Sequence, residues 1–196
     1  MVDLGNPKSP RLLGELKIPG FSDYLQPYDE THIIGIGRNT TDVAWENAVL
    51  ADGLKVSFFD VSDPANPFEA SRYVIGVRGS SSPALNDHKA VLFDHGKNLL
   101  VIPVEVAQIR SGDTGLWAYG TSVWQGAYVF KVSPQDGLVF RGGITHLRDG
   151  ELPSYSNSQR FVSRALYIGE VLYTISQSIV KMNSLSDLTG LGSVNF

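Results

Sequence analysis

The sequence predicts an all-β chain built from repeated four-stranded units, and three observations carry that prediction. The first is a phrase that recurs. Phe59-Asp60-Val61-Ser62-Asp63-Pro64-Ala65-Asn66-Pro67 runs an apolar strand end into a double-proline turn, and Asp3-Leu4-Gly5-Asn6-Pro7-Lys8-Ser9-Pro10 repeats it 57 positions earlier. A self-similarity of that size is tested as a structural repeat before any other fold argument. The second is the spread of 20 Gly and 10 Pro along 196 residues, which suits many short strands joined by turns. The third is the lack of helical periodicity: only Asp42–Ala51 reads as room for one short helical turn.

Taken in order, Val2–Pro10 reads as a strand end and its turn, and Leu12–Ile18 as the next strand, stopped by Pro19-Gly20. Ser22–Tyr28 is a weak strand and His32–Arg38 a clear apolar one. Asn39–Gly53 has no strand pattern and holds Trp45. Leu54–Val61 alternates into the Asp-Pro turn, and Phe68–Ile75 follows. The order then repeats. Lys89–Asp94 and Asn98–Val104 flank the turn His95-Gly96-Lys97, and Glu105–Gln125 is an irregular insertion. Ala127–Val132 and Leu138–Thr145 follow around Ser133–Gly137. The third unit is compact, with strands expected at Arg164–Ile168, Val171–Ser176, Ser178–Asn183 and Leu188–Val194.

Aligned on their third strands, the units place Asp3, Asp60, Lys131 and Lys181 in register, at spacings of 57, 71 and 50. Blade repeats run roughly 40–50 residues, with extra length in loops. Four strands per unit with Gly, Pro and Asp turns therefore match a β-propeller. The expected arrangement is a partial ring of three four-stranded blades (21–76, 77–147 and 148–196) after two outer strands of a preceding blade (1–20). A β-sandwich is the alternative, and the repeated four-strand order argues against it. A closed ring needs at least about four blades. The missing blades are expected from a longer chain, of which this is a segment, or from self-association.

Composition sets outer limits. With 42% hydrophobic and 18% charged residues the chain can bury a real core, and a formal charge of −4 with no Lys/Arg run argues against a nucleic-acid surface. No cysteine is present, so disulfides and thiolate chemistry are excluded. The first residues lack the basic and apolar regions of a signal peptide, and no apolar run approaches a membrane helix, so no membrane insertion by this segment is expected. Gly35-Ile36-Gly37 lacks the third glycine of a dinucleotide loop, and no Gly-x-Ser-x-Gly elbow exists. His32, His88, His95 and His146 show no ligand spacing. No cofactor and no metal are expected. Asn39-Thr40-Thr41 is a glycosylation sequon in an expected loop, at a frequency chance would also give.

The Asp60–Pro67 phrase resembles the repeats of surface proteins with an LVIVD-type blade. A wider match involves Gly14–Leu25, Asp87-His88-Lys89-Ala90, Leu99–Val104 and Tyr128-Val129-Phe130. It is similar to secreted proteins with a C-terminal β-propeller distantly related to WD-40 repeats. That resemblance implies a propeller fold and an extracellular or cell-surface location, and it implies no reaction.

Strands of a blade alternate direction, so second-to-third connections share a face with the blade-to-blade connections. Both insertions belong to that face, with Ile75–Asp87 and His146–Ser163. Trp45, Trp117 and Trp124 all fall in the insertions, together with Tyr119. Arg110, Asp113 and Tyr155 belong to the same face. One reading is an aromatic-lined surface for a protein, peptide or glycan, since exposed aromatics and Arg mark contact sites. The other is that the rings cap the blade edges and hold long loops down.

The innermost strands also start on this face, at the mouth of the central channel, with Asp23, Asp87, His88, Ser163 and Arg164. Converging carboxylate and imidazole groups suit a metal or acid–base chemistry, as in a propeller hydrolase or lyase. Asp and His at strand starts also make turn hydrogen bonds. The third unit offers Ser163-Arg164 in place of an acid, which weakens the enzyme reading. A non-catalytic binding or scaffold module is the function expected.

Overall fold

A computed structural model describes residues 1–43, 48–112, 115 and 117–196. The recurring turn phrase makes the same hydrogen bonds both times it occurs. Asp3 Oδ1 accepts from Gly5 N at 2.8 Å, as Asp60 Oδ1 does from Ser62 N at 2.9 Å. Asn6 Oδ1 accepts from Lys8 N at 3.2 Å, as Asp63 Oδ1 does from Ala65 N at 3.0 Å. The turns then close from Ser9 N to Asn6 O and from Asn66 N to Asp63 O, at 2.9 and 3.0 Å. Short acceptor side chains thus bond the backbone two residues on while proline presets the turn angles. Asp63 also accepts from Asn66 Nδ2 at 2.7 Å. An Asp63→Ala chain is expected to melt roughly 2–4 °C lower, the shift one lost turn bond gives in a domain of this size. An unchanged melting temperature would remove this role.

Each turn joins the last two strands of a unit. β1 (Val2–Asp3) and β2 (Arg11–Leu12) form a two-stranded ladder. Three four-stranded antiparallel sheets follow, each in strict sequence order. The first holds β3 (Phe21–Pro27), β4 (His32–Val43), β5 (Ala48–Asp60) and β6 (Phe68–Ile75). The second holds β7 (Leu92–Asp94), β8 (Leu99–Gln108), β9 (Thr121–Ser133) and β10 (Gly137–Ile144). The third holds β11 (Arg164–Ile168), β12 (Val171–Ile175), β13 (Ile179–Ser184) and β14 (Gly190–Asn195). This is a partial β-propeller of four-stranded blades.

The middle sheet explains the one continuous apolar run. A strand covered on both faces needs apolar side chains at successive positions rather than alternate ones. In β8, Leu100, Ile102 and Val104 pack with Ile34, Ile36, Val56 and Phe58 of the first sheet. Leu99 and Val101, pointing the other way, join Ala127, Val129 and Leu172 against the third sheet. Between the first and second sheets the filling is aromatic: Tyr73, Tyr128 and Phe140 surround the fully buried Phe130 at ring separations of 5.2 to 6.3 Å.

Several expected boundaries shift. Asn39–Gly53 and Glu105–Gln125 are irregular only in part: β4–β5 continue outward as a long hairpin as far as Val43 and Ala48, and β8–β9 as far as Gln108 and Thr121, with bulges at Arg38/Thr40 and Val106/Ala107. Bulges shift the register there and burial is scattered, as at Val106, Ala107 and Gln125, so the period-two alternation that marks a strand never appears in the sequence. The helical turn expected within Asp42–Ala51 is accordingly replaced by strand at Asp42 and at Ala48–Ala51. Of the strand expected over Leu12–Ile18, only the start is paired, through Leu12 in β2 and the bonds of Leu13 and Gly14 to Met1, because its partner begins at the chain's first residues. The strand expected from Lys89 starts at Leu92, since Asp87 caps a 3-10 turn at His88–Ala90 by accepting from Lys89 N at 2.9 Å. β14 starts two residues late because Leu188 has a positive φ of 63°.

The far face of the first sheet carries a buried charge. Lys55 is 2% exposed; its ammonium lies 3.4 Å from Glu69 and donates to Pro19 O at 2.5 Å. Ser57 donates to the same Glu69 at 2.6 Å. A buried cation persists only when paired and hydrogen-bonded in this way.

Candidate functional site

The β8–β9 hairpin and the connection after β6 build a cluster that the sequence named only in part. Trp117 and Tyr119 stand 51% and 70% exposed near the hairpin end. Between them lies the guanidinium of Arg78, 5.8 Å from the Trp117 ring and 5.6 Å from the Tyr119 ring. Arg78 Nη1 also donates to Trp117 O at 3.5 Å. Cation–π attraction of this kind holds flat rings and a planar cation together at a wet surface.

The backbone under the cluster is fixed from both sides. Arg78 N donates to Asp52 Oδ1 at 3.0 Å, which ties the first hairpin to it, and Gly120 N donates to Arg78 O at 2.8 Å. Gly79 has φ +108°, and a Cβ there would lie 2.9 Å from both the Tyr119 ring and Gly120 O. Only glycine makes that turn beside the ring. Arg78 was missed because it sits in a connecting segment with no aromatic neighbour in sequence; only the hairpin brings the rings to it.

The remaining members of the expected surface divide. Arg110 is exposed and donates from Nε to Thr121 Oγ1 at 3.1 Å, bridging the two hairpin strands. Tyr155 stands exposed on the connection between the second and third sheets. Trp45 and Asp113 lie outside the described residues. Trp124 requires a correction. It points into the first–second sheet interface rather than to the open face, half-buried with its ring 5.0 Å from Tyr128. It fits because a Cβ at Gly126 or Gly143 would come within 2.5 or 2.8 Å of its ring atoms. Alternation decides this: Trp124 shares a strand face with Tyr128, Phe130 and Val132, which all face the first sheet.

At the channel mouth two of the expected residues meet. Arg164 Nη2 donates to Asp87 Oδ2, joining the second and third sheets. The other Asp87 oxygen is the turn cap on Lys89 N, so both carboxylate oxygens have fixed partners. His88 lies exposed within that turn. Asp23 is the extra residue of a bulge between Ser22 and Tyr24, exposed and outside the Asp87–Arg164 pair. Among the described residues no three His, Asp or Glu side chains gather as a metal-ligand set. The mouth is a clamp between blades, made by an acid and a base that the sequence separates by 77 positions.

Comparison with known proteins agrees with this architecture. The chain is 35% identical over 179 residues to an uncharacterised protein of Methanocaldococcus jannaschii, covering 91% of this chain and 22% of that protein. It is 38% identical over 103 residues to an uncharacterised protein of Archaeoglobus fulgidus, covering 53% of this chain and 14% of that one. The chain thus spans less than a quarter of the length of these curated relatives. No solved structure matches it. The model of the beta propeller domain family matches residues 1–188, and with the three four-stranded sheets this places the chain in that family.

Proposed function

We propose that the chain is a non-catalytic recognition module that binds a protein or peptide through the Arg78–Trp117–Tyr119 cluster. The observation that supports it is one guanidinium held between two exposed rings. Trp, Tyr and Arg are the residue types enriched where binding energy concentrates. The Arg78 backbone is already fixed by Asp52 and Gly120, so little of its conformational freedom is lost when a partner docks. The engagement of both Asp87 oxygens favours a structural role for the channel mouth over an acid–base one.

A displayed peptide library tests the reading. Selected peptides should lose about 1–3 kcal/mol of affinity when Trp117, Tyr119 or Arg78 is replaced by alanine. Binders indifferent to all three substitutions, or no binders beside clear hits on a glycan array, would overturn it. An extracellular or cell-surface location belongs to the same proposal, supported by the resemblance to exported propellers; fractionation of the source cells tests it. The far faces of the first and third sheets expose Phe21 and Leu25, and Leu166, Ile168 and Val194. We read them as faces on which further blades pack.

A further inference from the structure

A concave site lies away from that cluster, where β13, β14 and the connection 145–163 meet. A cavity of about 400 Å³ is lined there by Lys181, Arg160, Arg148, His146, Ser193 and Asn195, with Asp149 also on its wall. Ligand pockets begin at roughly 300 Å³.

The charges do not balance. Lys181 Nζ donates to Thr145 O at 2.6 Å, and among the described residues no carboxylate lies within ion-pair distance of it. An ammonium carries three donors, so two of them have no acceptor among the described residues. Arg160 faces the same space and pairs at 3.2 Å with Glu151, whose other oxygen is occupied by Asn157. Arg148 N also donates to Glu151, at 2.9 Å, while the Arg148 side chain remains exposed at the rim. Three cations therefore meet one committed carboxylate and one free one, Asp149. Desolvation and the Arg160 charge both hold the Lys181 ammonium below the usual lysine range. A bound anion would offset both costs with an opposite charge.

We infer that this cavity is a binding site for a phosphate or sulfate group, carried free or as the ester of a small molecule. Lys181 supplies the point charge, and Arg160 and Arg148 supply planar donor forks. Ser193 and Asn195 stand along the rim of β14, in register with Lys181 and Ile179. His146 is not a ligand for it: its ring nitrogens are held at 3.0 Å by Ser176 Oγ and at 2.9 Å by Thr174 Oγ1.

The test is a titration of the full chain with inorganic phosphate and separately with glucose 6-phosphate, followed by phosphorus NMR at constant ionic strength. Saturable binding of at least one probe is expected, weakened tenfold or more in Lys181→Met. Should that variant fold poorly, Arg148→Gln is expected to weaken binding about threefold at an exposed position where stability changes little. Equal affinities would mean that the oxyanion alone is read; tighter binding of the ester would mean that the cavity also reads the organic part. No saturable binding of either probe up to about 10 mM, or binding unchanged in both variants, would overturn the assignment.

Discussion

Replacing Trp124 with alanine is expected to lower the unfolding free energy by about 3 kcal/mol, near the lower end of the range for a large aromatic in a packed interior. The ring lies against Tyr128 and fills the space that Gly126 and Gly143 leave open. Truncation leaves a void on the one face where the first two sheets are held together, and neighbouring rings cannot close it because Phe130 and Phe140 are themselves fixed in contact. Trp117→Ala is expected to change stability by about 0.5 kcal/mol or less, as surface substitutions do. Denaturant unfolding of the two variants side by side makes the comparison. Equal losses would mean that both rings are surface or both interior, contrary to the packing of Trp124 against the first–second sheet core and the exposure of Trp117.

Lowering the pH from 7 to 4.5 should destabilise the chain by about 2 kcal/mol through His146 alone. The residue is 2% exposed, between Thr174 and Ser176. Burial first, then the Lys181 and Arg160 cations, push it down to about 4 from an ordinary 6.5, against the opposing bond to Thr174. Arg148 and Asp149 face the same cavity. The folded-state value is thus the lower one. Above pH 6.5 both states hold the ring neutral and its contribution is fully present. Between 6.5 and 4 the unfolded chain takes up a proton that the folded chain refuses, so stability falls; below 4 the loss levels off.

Carboxylates titrate in the same range, so the readout is a difference between chains. His146→Gln keeps a neutral hydrogen-bonding side chain and should lose about 2 kcal/mol less than the parent between pH 7 and 4.5. Parallel losses in the two chains would show that His146 is not the group responsible.

The sequence by itself determined the repeat and the sheets. Asp3/Asn6 and Asp60/Asp63 form their turns through bonds spanning two or three residues, so local chemistry was enough to locate the strand ends they join. The apolar run Leu99–Val104 likewise announced a strand, and the structure shows that strand covered on both faces. The hairpin extensions were illegible for the opposite reason: strand pairing held by a partner strand, shifted by bulges and burying only scattered residues, leaves no alternation to read.

The site depended on the tertiary structure almost throughout. Trp124 groups with Trp117 in the sequence because both fall in one second-to-third connection. Yet Trp124 belongs to β9, whose parity sends it into a sheet interface, while Trp117 lies on the exposed segment before that strand. Arg78 and Trp117 are 39 positions apart, and Asp87 and Arg164 are 77 apart. Lys181, marked in the sequence only as a register position, became a cavity-wall cation once the 145–163 connection folded over β13. Turns are decided within a few residues. A cluster of charges and rings is decided by which blades pack together, and that energy belongs to the buried sheet faces rather than to the residues of the site.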